Sequence, residues 1–386
     1  MIGTRLRPVP QLFARQVSLV LGALALLGIL SCGGKAPIRI GLMSTFDDAL
    51  GKPLRLGAQL AVKEINEAGG VDGRMLELLE AEDRGNPDSA SIAATTLAES
   101  DVVAVIGGAF SGPTLGAAPI FNDARRPVLQ ITPSGTNPAI SAEGEWTFRT
   151  CPSDLAHAAS LARFVRQTLR LERTAVLYMN NSYGRGFRDA FEEEFRRLGG
   201  TVTSSDPYLA EKVKDAAPFL ERIQRDQRAQ AIIAVSYEGD GAELLRMTRA
   251  RGLTLPFLGG DGLEGIEREG SIADGTYLTS AYLATLATPR NVEFVAKYAQ
   301  MFKGEPAPNN TAVSTYDAIR LLAQLMDDVG TDRRKLRDAL AQVGTTRAAY
   351  EGISGRIAFD SAGDVPEMRV LIAQARAGSV SAVEER

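Results

Sequence analysis

Apolar runs of strand length alternate along the chain with segments in which apolar residues recur at helical spacing. IRIGLMS at 38–44 is the first strand-like run, and LRLGAQLAVKEINEAGG follows it with helical spacing and a glycine stop. The alternation continues through MLELLEA, VVAVIGG and PVLQITP, and again through TAVLYM, AIIAVS and PFLGG. Strands that alternate with helices predict βαβ units. The predicted fold class is therefore α/β, with two doubly wound, Rossmann-like halves.

The pattern changes after about residue 283. Two helical segments, at 289–303 and 311–328, follow each other with no strand between them. The runs GRIAFD and MRVLIAQA come last, and they predict two strands that pair with each other as a hairpin.

The first 31 residues have a different composition. Arg5, Arg7 and Arg15 are the only charged residues there, and the uncharged run at 17–30 is shorter than the ~20 residues that a bilayer span needs. A positive start followed by a short apolar run predicts a secretory signal peptide over 1–31. The junction at the end of this segment, Leu30-Ser31-Cys32, resembles a bacterial lipobox. This predicts lipidation at Cys32 and a tether over 32–37. A soluble signal peptide with a chance cysteine is the alternative.

Composition argues against several classes of function. The formal net charge is −4 and no strongly basic run occurs, so nucleic acid is not an expected partner. One histidine and two cysteines cannot supply a metal cluster, and no G-x-S-x-G elbow is present. We therefore expect no cofactor, no metal and no enzymatic activity, although an exported enzyme is kept as an alternative.

The stretch AVLYMNNSYGRGFRDAF contains Gly184-Arg185-Gly186 after a strand and before a helix, as dinucleotide-binding units do. The third glycine of that motif is absent. We interpret these glycines as allowing a tight bend that brings Tyr183 to a cleft.

Ligands of open parallel sheets bind beyond the carboxyl ends of the strands, so the strand-to-helix turns are the places to search. Ser111 opens a helix after a strand, where unpaired amides attract a carboxylate. An N-cap role is the alternative for Ser111, and Thr136 has the same ambiguity. Asp261 is either a turn residue or a carboxylate in the cleft.

These turns together resemble the type I periplasmic binding proteins, in the branch that includes the Leu/Ile/Val-binding proteins of ABC importers. The matching text is GLMSTFDDALGKPLRLGAQLAVKEINEAGGVDGRMLEL, VIGGAFSGPT, ITPSGTNP, FRTCPSD, SYGRGF, Tyr237 and LGGDG. The resemblance implies two lobes joined by a three-strand hinge, the arrangement called a Venus flytrap. It assigns 38–150 plus 281–350 to lobe 1 and 151–280 plus 351–380 to lobe 2.

The resemblance also implies a ligand-binding site for an amino acid or a related small carboxylate. Lobe 1 holds the carboxylate with two hydroxyl residues and part of the ammonium with a backbone carbonyl; the matching residues are Ser111, Thr136 and, for the carbonyl, Ser134. Lobe 2 supplies two aromatic walls and an acid that pairs with the ammonium; the matching residues are Tyr183, Tyr237 and Asp261. Core packing is the alternative for both tyrosines.

One position departs from the family pattern. An aromatic residue often lines the site in the first turn, and Leu50 stands there. Phe46, Asp47 or Asp48 could reach the ligand instead, but we favour a solvated loop.

These features predict a lipid-anchored substrate-binding protein in the periplasm or at the cell surface. ABC permease subunits are expected partners, and the membrane is contacted only through the anchor. A ligand-sensing or regulatory lipoprotein of the same fold is the alternative.

Overall fold

The computed structural model of the chain describes residues 35–210 and 212–383. The predicted signal peptide and Cys32 lie outside the described residues. No helix among the described residues is both long enough and apolar enough to cross a bilayer.

The first half of the chain forms a five-stranded parallel sheet in the order β2-β1-β3-β4-β5. Its strands are β1 Ile38–Ser44, β2 Leu76–Glu82, β3 Ala104–Gly107, β4 Leu129–Thr132 and β5 Thr147–Arg149. The helices that connect them are α1 Gly51–Glu67, α2 Pro87–Glu99 and α3 Ser111–Phe121. The strands β3 and β4 are entirely buried, as expected for parallel strands that are covered on both faces.

The second sheet has seven strands in the order β14-β13-β10-β9-β8-β6-β7. Its strands are β6 Arg173–Met179, β7 Thr201–Tyr208, β8 Ala231–Val235, β9 Phe257–Gly259, β10 Tyr277–Ser280, β13 Leu371–Arg376 and β14 Ser379–Ala382. The accompanying helices are α4 Asp154–Arg163, α5 Ser182–Arg197, α6 Ala217–Asp226 and α7 Glu238–Ala250. Strands β6 to β10 pair in parallel, whereas β13 is antiparallel to β10.

Three helices return to the first sheet after β10: α8 Pro289–Met301, α9 Asn310–Val329 and α10 Arg333–Ala341. Phe294, Val313 and Leu336 bury their side chains in the same core as β1 and β3. The predicted α/β architecture is confirmed, with one parallel sheet and one mainly parallel sheet.

The predicted hairpin between GRIAFD and MRVLIAQA is wrong. Arg356–Ile357 (β12) pairs instead with Tyr350–Glu351 (β11), and β13 pairs with β14 and β10. Phe359 near the end of the first run, Val365 between the runs and Met368 at the start of the second run are buried in the core of the first sheet. The two runs therefore belong to different sheets, and the chain crosses between them just before β13.

Arg149, the last residue of β5, is the largest polar side chain in the interior and is 1% exposed. Its Nε donates to Asp364 Oδ1 at 2.5 Å, and its other nitrogens donate to the carbonyls of Gly135 and Asn137 and to the Ser141 hydroxyl. A buried charge is tolerated only when it is paired and fully hydrogen-bonded. The guanidinium therefore fixes the loop that follows β4.

Arg149→Ala is expected to lower the free energy of unfolding by about 3–5 kcal/mol, because it leaves the Asp364 carboxylate without its partner. Urea denaturation followed by circular dichroism measures this loss. Arg125→Ala is the control, because Arg125 pairs with Asp123 while 89% exposed, and it should cost at most ~0.5 kcal/mol. Equal losses in the two variants would contradict the role assigned to Arg149.

Candidate functional site

A small cavity lies between the elements of the two sheets. Its lining residues are Leu50, Ser111, Ser134, Thr136, Tyr183, Tyr237, Asp261, Gly262, Glu264, Asn310 and Thr311. All six residues predicted for ligand binding therefore face one cavity.

A larger groove lies elsewhere, between α1, α8 and α9, and it is open to solvent. Its charged side chains already pair with one another, for example Lys297 with Glu64 and Arg347 with Asp328. It includes none of the predicted site residues, so the smaller cavity is the candidate site.

One wall of the cavity is the start of α3. Ser111 is the first residue of this helix, and Phe110 occupies the N-cap position, so the alternative N-cap role for Ser111 is wrong. The first main-chain bond of the helix runs from Thr114 N to Phe110 O at 3.1 Å. The amides of Ser111 and Gly112 precede that bond and have no intrahelical acceptor, which makes this helix end attractive to an anion.

The loop after β4 continues the same wall. Thr136 is 1% exposed, and its hydroxyl lies close enough to the Asp154 carboxyl group to lower that group's pKa, but makes no hydrogen bond of regular geometry among the described residues. Ser134 donates its hydroxyl to Ala109 O at 2.7 Å, so its side chain is already engaged. A buried hydroxyl without a partner is costly, and a ligand atom bound there would satisfy it.

Two tyrosines and Asp261 form the wall contributed by the second sheet. The rings of Tyr183 and Tyr237 are stacked, with centroids 5.0 Å apart. The Tyr183 hydroxyl donates to Asp261 Oδ1 at 3.2 Å and accepts from the Gly262 amide at 3.2 Å. Burial, and then the negative charge of Asp261, raises the pKa of Tyr183 well above its usual value. This tyrosine therefore stays neutral and orients the Asp261 carboxylate.

The two walls also touch each other directly. The rings of Phe110 and Tyr237 pack edge to face at 4.8 Å, and Asn137 Nδ2 donates to Ser182 O at 2.5 Å. A Cβ on Gly186 would lie 2.5 Å from Asn137 Nδ2, so only glycine permits this approach. The G-x-G of the sequence therefore serves a close contact between the two sides of the cleft.

The first turn of the chain contributes Leu50 to the cavity. Phe46 is buried in the core under the Arg55 guanidinium, and Asp47 is exposed to solvent. Asp48 accepts hydrogen bonds from the amides of Leu50 and Gly51. None of these three residues lines the cavity, as the interpretation of this stretch as a loop predicts.

Sequence reasoning missed three polar lining residues: Glu264, Asn310 and Thr311. Asn310 and Thr311 begin α9, which follows no strand, so a search of strand-to-helix turns could not find them. Glu264 does lie in such a turn, three residues after Asp261, and that spacing on a single helical turn was the available signal.

Two further polar residues are buried beside the cavity, at the start of α4. Both carboxylate oxygens of Asp154 make no hydrogen bond of regular geometry among the described residues, and the pKa of this group is raised by burial and by the charge of Asp261. His157, one turn later, contacts the Thr279 hydroxyl at 2.9 Å, and burial lowers its pKa. Within the described part of the chain, no group of His, Cys, Asp or Glu could hold a metal ion.

Comparison with known proteins identifies the family. The family model described as periplasmic binding protein matches residues 37–379, so the chain belongs to this family. The Leu/Ile/Val-binding protein homolog 1 of Brucella abortus is 26% identical over 352 residues, which are 88% of this chain and 91% of that protein.

Solved structures agree on the fold. An ABC transporter substrate-binding protein of Desulfitobacterium hafniense, in complex with Leu, is 27% identical with a TM-score of 0.76, over 90% of this chain and all of that one. A solute-binding protein of R. palustris in complex with benzoate has a TM-score of 0.80 at 21% identity, over 90% and 95% of the two chains. The second likeness concerns the fold alone.

The free protein is expected to lose stability as the pH rises through about 8, because burial raises the pKa of Glu264 from its usual 4.5 to about 8. The folded state binds this proton more tightly than the unfolded state does. The resulting stabilisation is complete below about pH 4.5 and is lost as the pH passes 8. Thermal unfolding measured between pH 5 and 9 should therefore show that the stability of Glu264→Gln, relative to that of the wild type, increases as the pH rises. A constant difference between the two proteins would contradict this protonation.

Proposed function

We propose that this protein is the extracytoplasmic substrate-binding component of an ABC importer and that it captures an amino acid or a related small carboxylate. The observation that carries this proposal is the cavity itself. Unpaired helix amides and the Thr136 hydroxyl, which makes no regular hydrogen bond among the described residues, form one wall, and Asp261 stands on the other wall.

The chemistry of these walls suits a zwitterion. The ligand carboxylate binds at the start of α3, where the Ser111 amide and the hydroxyls of Ser111 and Thr136 can donate to it. The ammonium pairs with Asp261 and donates to the carbonyl of Ser134. Tyr183 and Tyr237 cover the ligand with their aromatic faces. No bond is made or broken.

The capture mechanism that we propose is closure of two lobes about a hinge. Lobe 1 consists of 38–150 plus 281–350, and lobe 2 of 151–280 plus the last strands up to 380. Because Phe359 and Met368 pack in the core of the first sheet, we place the segment between β12 and β13 in lobe 1 as well. The closed surface is what the permease recognises.

Asp261→Asn is expected to weaken amino-acid binding by about 2–5 kcal/mol while the fold persists, because the ammonium loses its charged partner. A thermal-shift screen over amino acids and benzoate identifies the ligand, since saturation at 100 times Kd stabilises by about 2.7 kcal/mol. Titration calorimetry then compares the variant with the wild type.

Asp226→Asn is the matched control, because Asp226 lies at the exposed end of α6 and pairs only with its neighbour Arg225. It should bind as the wild type does. Unchanged affinity in Asp261→Asn would contradict the zwitterion model. A screen in which no compound binds would contradict the proposed function.

We also propose that Cys32 is lipidated after cleavage of residues 1–31 and holds the protein at the membrane. An acyl chain contributes ~0.8 kcal/mol per buried CH₂, so several chains on one cysteine anchor a folded domain stably. Cys32→Ser is expected to abolish incorporation of labelled palmitate and release the protein from membrane fractions. Cys151→Ser is the control, because Cys151 is buried and cannot be acylated in the folded protein. Labelling that survives Cys32→Ser would contradict the anchor.

A further inference from the structure

The cavity has a second polar wall, which the zwitterion model does not use. Glu264, Asn310 and Thr311 form this wall, and they belong to other elements than the residues assigned to the carboxylate. Leu50 is the only aliphatic side chain among the lining residues. An aliphatic ligand side chain would therefore find few apolar partners here.

Glu264 retains hydrogen-bonding capacity. Its Oε2 accepts from the Asn310 amide at 3.3 Å, and its Oε1 contacts the Ser280 hydroxyl. That hydroxyl has a single proton, and the Tyr282 carbonyl lies 2.6 Å from it as a second acceptor. A carboxyl group offers about four acceptor positions, so at least one oxygen can accept a further bond from the cavity.

The charge of the lining residues points the same way. Asp261 and Glu264 are both acids, and no lysine or arginine lines the cavity. The Thr136 hydroxyl, buried in the same cavity, makes no regular hydrogen bond among the described residues and is therefore available to a ligand. A methyl group placed against Glu264 would leave its remaining acceptor position unpaired, which a binding site disfavours.

We propose that the ligand is an amino acid whose side chain ends in an N–H donor, a carboxamide or an amine, and that Glu264 receives this donor beside Asn310 and Thr311. This inference rests on the proposed function, because it presupposes that the α-carboxylate and α-ammonium bind as described above. The proposed ligand side chain differs from the aliphatic side chains of Leu, Ile and Val, which the name of the Brucella abortus relative gives.

The test compares ligands of equal shape. Asparagine and leucine are nearly isosteric, and glutamine and lysine extend the donor series. We expect at least one of asparagine, glutamine and lysine to bind the purified protein about 100-fold more tightly than leucine by titration calorimetry, because a site built for a hydrogen bond rejects analogues that lack it. Leucine, isoleucine or valine binding as tightly as these donors would overturn the inference and leave the proposed function intact. If no amino acid binds, the inference fails, and the proposed function fails with it if no small carboxylate binds either.

Variants of Glu264 test the contact itself. Glu264→Leu should reduce the preference for the donor over leucine at least tenfold, and Glu264→Gln provides a second, nearly isosteric variant if the first does not fold. Glu269→Gln is the control, because Glu269 pairs with Arg246 at the surface and should leave the preference unchanged. A preference that both Glu264 variants retain in full would overturn the inference.

The pH dependence distinguishes the two donors. Three titratable groups interact with Glu264: Asp261 from its own turn, Glu267 from the following helical turns, and Tyr282 after β10. An amine ligand binds the ionised carboxylate, so its affinity should rise between pH 6 and 9. A carboxamide carries no net charge, so its affinity should rise less over the same range. Either dependence should disappear in Glu264→Gln, and one that persists there would overturn the assignment to Glu264.

Discussion

The binding wall of the first sheet depends on one buried guanidinium. Arg149 ties the end of β5 to the loop after β4 and to Asp364, and that loop carries Ser134 and Thr136. Hydroxyls and carbonyls can hold a small carboxylate and an ammonium only if they are positioned before the ligand arrives. The hydrogen bonds of the buried guanidinium to main-chain carbonyls therefore hold this loop in position.

The two sides of the cavity have opposite electrostatic character. Helix amides on one side favour negative charge, whereas the carboxyl groups on the other side crowd one another and bury their charge. Burial, and to a lesser extent the charge of Asp261, raises the pKa of Glu264 and Asp154. A ligand with separated positive and negative groups relieves both sides at once. The same arrangement disfavours a simple anion, which would meet the acids without neutralising them.

Much of this could be predicted from the sequence, for identifiable reasons. The alternation of buried strands and amphipathic helices determined the architecture, and parallel strands place their carboxyl ends at one edge of a sheet. This brought Ser111, Thr136 and Asp261 together. Asn310 and Thr311 could not be predicted in the same way, because α9 is not preceded by a strand and only packing brings its start to the cleft. The partners of the late strands were wrong because an apolar pattern indicates a strand but not which strand it pairs with.

The contacts of Phe110 with Tyr237 and of Asn137 with Ser182 join the two sides of the cleft without involving a ligand. In the proposed closure about a hinge, these contacts stabilise the closed arrangement whether or not a ligand is bound. The fraction of molecules that are closed without ligand then scales the apparent affinity for every ligand alike. In that proposal, substitutions at these two contacts change the affinity for all ligands together and leave the preference among them unchanged.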